Sequence, residues 1–366
     1  MRFHRFGLAL ITVLALTGKC GPASAATSTD NGAPAIRVTD AAGRTVELAR
    51  PAQRIVVVGN GPYIALDMLY MFPGVSRQLV GMEKKGSLAS DFLPLLDPTF
   101  ADKPALVSPG PEQIAVLHPD LVLTRGQGLD RIGVTLDAIH VPMVYLGMET
   151  PEQFYRDVAN LGVLLGRPER AQEITAYYQS RIARIRAGWQ GVPEAERPRV
   201  LVVEYTERGG AAAVRVPAKP WMQTLEVETA GGRPVWLDSA APTSGWTVTN
   251  IEQIARWDPD RIILVVARAH DPEKAVAALK IDPQWRGLRA VRQDALCAFP
   301  FDLYGWDTPD PRWLLGMTWM AKTLHPDSFK SLDLDAEVHS FFGTLYGMDE
   351  SAIDKSIVSK MWLGVR

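Results

Sequence analysis

The sequence is poor in the residues that build disulfides and metal clusters. Its 366 residues contain two cysteines, Cys20 and Cys297, and six histidines that are scattered along the chain. Cys20 falls in an N-terminal segment with the features of a cleavable leader, so Cys297 is expected to be the only cysteine of the mature chain. A lone cysteine excludes an intramolecular disulfide, a zinc–thiolate cluster and an iron–sulfur cluster.

Familiar catalytic motifs are also missing. The sequence contains neither the G-x-S-x-G turn of serine hydrolases nor the H-E-x-x-H helix of zinc proteases. The repeated acids Glu112 and Glu252 belong to separate halves of the chain, too far apart for paired acid–base chemistry. We therefore predict that the protein is not an enzyme and that it has no resident metal or cofactor.

Neither a membrane-spanning run nor an excess of basic charge is present. The apolar run at residues 7–16 follows Arg2 and Arg5 and precedes Ala23-Ser24-Ala25, which is typical of an export signal at residues 1–25. Loss of this segment leaves 36 basic against 41 acidic residues, a net charge near −5, so no nucleic-acid partner is expected. We predict a periplasmic protein. A lipid anchor at Cys20 is the less favoured alternative, because Lys19 stands where a lipoprotein signal requires a small residue.

Two segments of the chain repeat one pattern. Residues 112–123 and 252–263 both begin with Glu-Gln-Ile-Ala, pass through a Pro-Asp pair and end in an apolar run. Each copy reads as a short helix, a turn and a buried strand. With 47% apolar residues the chain can bury two cores. The repeat therefore predicts two similar α/β lobes.

A helical segment separates the two copies. Thr150 and Pro151 begin a capping box, and apolar residues recur at helical spacing up to Gly166 and again from Pro168 to Trp189. The predicted fold class is α/β, with two Rossmann-like lobes whose mostly parallel central sheets are joined by one long α-helix. The predicted boundaries are residues 36–149 for the N-terminal lobe, 150–190 for the interlobe helix, and 197–366 for the C-terminal lobe with a helical C-terminal extension.

Ligands of α/β sheets bind beyond the carboxyl ends of the strands. This rule selects loops in both lobes, including the stretch 303–312, where aromatic residues alternate with prolines in a turn, as in a ligand wall. Among the histidines, His270 alone follows a predicted strand in such a loop. The candidate ligand-binding residues are Asn60, Tyr63, Lys84, Arg125, Arg268, His270, Tyr304, Trp306 and Arg312.

These features together resemble the periplasmic binding proteins for iron complexes and cobalamin. The resemblance covers residues 36–324; residues 40–46 and 54–56 match the family's usual beginning, and residues 112–123 match its most specific segment. It implies a monomer that binds a small molecule between its lobes and delivers it to an ABC permease of the inner membrane. It also implies that Glu112 and Glu252 dock onto permease arginines, since they stand in the helices that carry the family's docking glutamates.

The resemblance also bears on the ligand. Trp246 stands six residues before Glu252, where the cobalamin binder has a ligand-facing tryptophan, and Asp310-Pro311-Arg312 replaces the family's Ser-Pro-Arg. Residues 106–108 lack the aromatic residue of the cobalamin binder.

The cationic residues at the predicted cleft suit an anionic chelate such as a ferric siderophore. The alternatives are cobalamin, haem or a metal oxyanion as ligand and, outside transport, a two-lobed enzyme or assembly factor. The cations concerned are Lys84, Lys85, Arg125 and Arg268.

Overall fold

The computed structural model describes residues 35–84, 91–125, 140–208, 211–266 and 271–364, together with the single positions Gly133 and Leu136. Residues from Ala35 onward form one unit. Within the described part no helix is both long and apolar enough to span a bilayer. The described helices are α1 (Pro62–Tyr70), α2 (Leu93–Leu96), α3 (Pro111–Ala115), α4 (Pro151–Leu164), α5 (Pro168–Trp189), α6 (Met222–Thr229), α7 (Ile251–Trp257), α8 (Pro272–Ile281), α9 (Arg289–Arg292), α10 (Trp313–Leu324), α11 (Leu334–Tyr346) and α12 (Glu350–Ser356).

The first sheet is wholly parallel, in the order β5-β4-β3-β6-β7. Its central strand is a continuous apolar run, and successive side chains point to opposite faces, so Ile55 and Val57 join one apolar cluster while Val56 and Val58 join another. A separate antiparallel hairpin, β1 with β2, precedes it. The strands are β1 (Ile36–Thr39), β2 (Thr45–Leu48), β3 (Ile55–Gly59), β4 (Leu79–Glu83), β5 (Ala105–Leu106), β6 (Leu121–Arg125) and β7 (Met143–Leu146).

The second sheet is mixed, in the order β11-β9-β8-β12-β13 with β10 paired to β8. Strands β8, β12, β13 and β10 pair in parallel, whereas β9 is antiparallel to both β8 and β11. Two lobes with mostly parallel sheets were predicted, and the fold class is confirmed. The strands are β8 (Arg199–Arg208), β9 (Ala211–Val216), β10 (Arg233–Pro234), β11 (Thr247–Thr249), β12 (Arg261–Val266) and β13 (Leu296–Ala298).

The two copies of the sequence repeat form the same backbone and side-chain hydrogen bonds. In the N-terminal lobe the carboxylate of Asp120 accepts the backbone N–H of Arg54 at 2.8 Å, and the N–H of Asp120 donates to the Arg54 carbonyl at 2.9 Å. In the C-terminal lobe Asp260 makes the same two bonds with Arg199, both at 2.8 Å. The aspartate of each Pro-Asp pair therefore joins the start of the repeat's own strand to the start of its neighbour, which explains why this pair occurs in both copies.

The residue before each Pro-Asp pair also has matching geometry. His118 and Asp258 have φ values of 46° and 39°, in the left-handed region that non-glycine residues rarely adopt. The side chain of Arg54 donates to the His118 carbonyl at 2.9 Å, and that of Arg199 donates to the Trp257 carbonyl. Each arginine thus satisfies a carbonyl at the C-terminal end of a short helix.

Helices α4 and α5 connect the lobes. Thr150 caps α4 by accepting the N–H of Gln153 at 3.2 Å, and Gly166, with a φ of 66°, follows its last turn. Helix α5 then continues for 22 residues, which is about 33 Å. The bounds of α5 and the break at Gly166 agree with the prediction, so the range 150–190 contains two helices of which the second is the long one.

The C-terminal extension packs against the connecting helix and both lobes. Arg170 at the start of α5 donates to the carbonyl of Met71 in the N-terminal lobe and to those of Thr344 and Leu345 in α11, each at 2.9 Å. Phe342 of α11 lies edge-on to Phe92 of the N-terminal lobe, with ring centroids 5.5 Å apart. The extension is therefore part of the contact between the lobes.

Candidate functional site

The loop after the central strand β3 brings two predicted residues to the sheet's carboxyl edge. Gly59 and Gly61 have φ values of 104° and 63°, and a Cβ at Gly59 would lie 2.4 Å from the Thr124 hydroxyl oxygen, so both turns require glycine. The loop leaves Asn60 exposed and places Tyr63 in the first turn of α1. The strand-end rule therefore located this part of the sheet edge correctly.

Two predicted cations of the N-terminal lobe differ in their surroundings. Arg125 is the last residue of β6, is only 7% exposed and forms an ion pair with Glu149. Burial raises the pKa of Glu149, and Arg125 opposes that rise. Lys84 follows β4 and is exposed. The guanidinium of Arg125 is therefore fixed by an ion pair, whereas the side chain of Lys84 is exposed to solvent.

Aromatic side chains from the two lobes meet. The rings of Tyr63 and Tyr304 stack with centroids 5.3 Å apart and an angle of 8° between their planes. Burial raises the pKa of Tyr63 to about 12, with a further contribution from Asp310 and an opposing one from Arg125. Tyr63 therefore stays protonated at neutral pH. The stack joins two predicted site residues that lie far apart in sequence.

A fully buried ionic cluster lies beside this stack. Arg312 donates from Nη1 to Asp67 at 2.7 Å and from Nε to Asp302 at 3.0 Å, and Asp310 lies 3.8 Å away. Asp67 belongs to α1 of the N-terminal lobe, whereas the other residues belong to the C-terminal lobe. The guanidinium also stacks over the rings of Phe92 and Tyr304, at 4.3 and 4.7 Å. Arg312 therefore links the two lobes.

Trp306 takes part in the same cluster. Its Nε1 donates to the Asp302 carboxylate at 3.0 Å, and like Arg312 it has no exposed surface. A ligand that touched either side chain would need the lobe contact to change. The prediction that Arg312 and Trp306 bind ligand stays a prediction. The geometry shows Arg312 bonded to both lobes, whereas Trp306 supports the position of Asp302 within the C-terminal lobe.

A cavity of about 80 Å³ adjoins Tyr304 in the C-terminal lobe. Its walls include Phe299, Phe301 and Leu303, with Asp307 as the one acidic side chain among them. Burial raises the pKa of Asp307 to about 7, so this carboxyl is about half protonated near neutrality. The cavity accordingly suits an apolar group better than an ion.

The remaining candidates lie apart from the stack or outside the described residues. Trp246 is half-buried and meets Trp221 edge-on, with centroids 5.5 Å apart. Arg268 and His270 fall in residues that the structure does not describe. In the described part of the chain no three histidine, cysteine, aspartate or glutamate side chains are arranged to hold a metal ion.

Sequence reasoning missed the buried acids. Asp302 and Asp310 belong to the loop that the strand-end rule selected, but neither was assigned a role. Asp67 was not a candidate, and neither was Glu226 of α6, which is fully buried with neither oxygen hydrogen-bonded to a described residue. A signal existed for one of them, since Asp67 interrupts the otherwise apolar face of α1. A charged residue inside an apolar helix requires a partner, and here the partner is Arg312.

Glu226 makes the stability of the protein depend on pH. Burial, followed by the charges of Asp307 and Asp310, raises its pKa well above the usual value. The folded state therefore binds this proton more tightly than the unfolded state does, and stability is lost as pH rises above the carboxyl's ordinary range. We expect Glu226→Gln to be more stable than the wild type at pH 8, with a smaller difference at pH 5.

Thermal unfolding of both proteins at pH 5 and pH 8 measures this effect. The matched control is Glu194→Gln, which changes an exposed acid and should shift the midpoint equally at both pH values. A Glu226→Gln shift that is the same at pH 5 and pH 8 would contradict the assignment.

The predicted docking glutamates lie on exposed surfaces. Glu112 of α3 and Glu252 of α7 form no hydrogen bond or ion pair with any described residue. Neighbouring side chains cap these helices instead: Gln113 accepts the N–H of Gly110 at 3.0 Å, and Asn250 accepts that of Gln253 at 2.8 Å. Neither carboxylate is therefore needed as a helix cap.

The protein consists of two α/β lobes that meet through aromatic and charged side chains. The sequence profile of the family described as "Periplasmic binding protein" matches residues 55–303. The chain belongs to this family, whose members and structural neighbours are substrate-binding proteins and not enzymes. The prediction of a non-enzymatic binding protein is confirmed.

Individual relatives bind different ligands. The chain is 31% identical over 123 residues to the molybdate-binding protein MolA of Haemophilus influenzae, and 25% identical over 183 residues to a vitamin B12-binding protein of Pectobacterium carotovorum. These alignments cover 33% and 48% of this chain, and only 33% and 63% of the relatives' own lengths.

Solved structures share the fold along nearly their whole length. A periplasmic solute-binding protein from Veillonella parvula superposes with a TM-score of 0.70 at 24% identity, covering 88% of this chain and 97% of that one. Molybdate-bound MolA from H. influenzae gives 0.67 at 17% identity, with coverages of 86% and 98%. At these identities the likeness concerns the fold alone.

Proposed function

We propose that the protein captures an anionic metal chelate, a ferric siderophore, between its lobes and delivers it to an ABC permease. The observation that carries the proposal is the stacking of Tyr63 on Tyr304, which supports a ligand site between the lobes near this contact. Aromatic side chains of this kind offer contact area to the aryl or alkyl groups of a chelate. Arg125 adds a positive charge at the same edge.

Two cationic side chains at this edge support an anionic ligand. Arg125 is held at the end of a central strand by Glu149, and a partly buried guanidinium binds carboxylate, catecholate or oxyanion oxygens through charge-assisted hydrogen bonds. Lys84, which follows the neighbouring strand β4, adds a second cation at this edge.

The location of the protein follows from the same comparisons. Periplasmic relatives imply the periplasm, where binding proteins of this type supply ABC permeases with small molecules. Residues 1–25, the predicted export signal, lie outside the described residues, as does Cys20. We propose export with cleavage after Ala25 and action as a monomer.

A metal oxyanion is the second candidate. The observation that favours it is the similarity to MolA, a molybdate-binding protein, which at 31% has the higher identity of the two relatives compared above. A small tetrahedral anion would use Arg125 and would need little of the aromatic surface. The two candidates therefore differ in how strongly binding depends on the aromatic residues.

Binding to a panel of ligands distinguishes these possibilities. We expect ferric catecholate or ferric hydroxamate siderophores to quench the tryptophan fluorescence of the purified protein, and molybdate, cobalamin and haemin to bind more weakly. Arg125→Met should weaken siderophore binding at least about tenfold, since a hydrogen bond to a charged group contributes about 1.5–3 kcal/mol. Native mass spectrometry of protein purified from its own cells identifies the natural ligand.

The matched control is Lys330→Met, which removes an exposed cation outside the predicted cleft loops and should leave affinity unchanged. Tight binding of molybdate with no binding of any iron chelate would replace the siderophore by the oxyanion. An Arg125→Met variant with wild-type affinity for every ligand of the panel would show that the site lies elsewhere.

A further inference from the structure

Exposed valines are concentrated beside the two docking helices. Val107, Val116 and Val248 are 74%, 73% and 73% exposed, and among the large apolar side chains of the described residues only Ile281 is as exposed. Each of the three valines lies within five residues of Glu112 or Glu252. Single exposed apolar residues are ordinary on protein surfaces, but their concentration at two related places indicates an interaction surface.

In the N-terminal lobe two exposed valines flank Glu112 in the sequence. Val116 directly follows α3 and stands four residues after Glu112, so both side chains lie on the same face of this helical turn. Val107 follows β5, the edge strand of the first sheet, in the loop that leads to α3. An acidic side chain is therefore bordered by apolar ones.

In the C-terminal lobe the corresponding edge strand carries Val248. Strand β11 is the edge of the second sheet and consists of Val248 between two threonines, without the charged residues that usually protect an edge. Asn250, the cap of the helix that carries Glu252, follows immediately. Both lobes thus present an edge strand and an exposed valine shortly before the helix that carries an exposed glutamate, although the valines do not occupy identical positions of the repeat and Arg256 stands where the first copy has Val116.

We propose that Val107, Val116 and Val248 form, together with Glu112 and Glu252, one two-part docking surface for the periplasmic side of the permease. This inference rests on the proposed transport function. The complementary partner carries two basic side chains, each bordered by apolar ones, because protein interfaces bury apolar centres within polar rims. A second copy of this chain fits less well, since a symmetric contact would bring unpaired carboxylates together.

The apolar and ionic parts of this surface respond differently to salt. Ion pairs of exposed groups weaken as ionic strength rises, because the screening length falls from about 10 Å at 0.1 M to about 3 Å at 1 M. Contacts of the valines do not depend on charge. Binding to the permease should therefore retain a salt-resistant component that the valines supply.

The test uses the isosteric triple variant V107T/V116T/V248T and spheroplasts of the source cells, whose inner membrane carries the permease. Binding of fluorescently labelled protein to the spheroplasts is titrated at 0.1 M and 1 M salt. We expect the triple variant to bind at least tenfold more weakly than the wild type at both salt concentrations, with an unchanged melting temperature. The control I281T/V163T changes exposed apolar residues away from the docking helices and should bind normally.

The outcomes separate this inference from the function on which it rests. Normal binding by the triple variant together with lost binding by E112R/E252R would overturn the valine surface and leave transport standing. Saturable binding that neither variant disturbs would overturn both. If the wild type is a dimer in solution and the triple variant a monomer, the valines join two copies of this chain and the proposal is wrong.

Discussion

Replacing Arg312 by methionine is expected to lower the free energy of unfolding by about 3–5 kcal/mol. The substitution keeps most of the side chain's length and removes its charge, so Asp67, Asp302 and Asp310 are left close together in the interior without a counter-ion. Burial already raises the pKa of Asp67 and of Asp310, and Arg312 is the main group that opposes the rise. Urea unfolding followed by circular dichroism measures the loss.

Two further variants make this expectation specific. Arg184→Met removes an ion pair with Glu337 in which the arginine is 48% exposed, and it should cost less than about 1 kcal/mol. Asp67→Asn in the Arg312→Met background should cost less than the sum of the two single changes, because the second change removes an acid that the first left unpaired. A loss below about 1 kcal/mol for Arg312→Met would show that the cluster does not hold the lobes together.

Reversing the charge of both predicted docking glutamates should abolish uptake and leave ligand binding intact. Glu112 and Glu252 are exposed and form no ion pair with a described residue, so E112R/E252R should fold with a melting temperature close to that of the wild type. At an interface with permease arginines the variant would place like charges in opposition, which costs several kcal/mol and reduces uptake at least tenfold. The measurement compares uptake of the iron chelate by cells with titration of the purified variant.

The matched control reverses two exposed acids that lie outside the docking helices. E169R/E194R changes the net charge by the same amount and should support normal uptake. Normal uptake by E112R/E252R would exclude the docking role. Equal losses in both double variants would attribute the effect to net charge instead of to these two positions.

Local patterns in the sequence were sufficient to predict the two lobes and the connecting helix. Helical spacing of apolar residues located α5 at Pro168–Trp189. Gly166, which follows the last apolar position of the preceding helix, predicted the break between the two helices. The repeated Pro-Asp pair predicted two related lobes, because one arrangement of hydrogen bonds places the aspartate in each. The rule that ligands bind beyond the carboxyl ends of strands selected Tyr63 and Arg125. All of these signals lie within a few residues of the feature they predict.

Only the tertiary structure shows which side chains pair with one another at the site. Arg312 pairs with Asp67, which is 245 residues away, and the pair buries two charges that the sequence alone would place on a surface or at a ligand. The exposure of Val107 and Val248 was likewise not visible, since a valine beside a strand is usually buried. Periodicity tells which face of an element is buried but not which side chain it is buried against. That second choice depends on how distant segments pack, and for this protein it determines which charged residues hold the lobes together and which remain free to meet a partner.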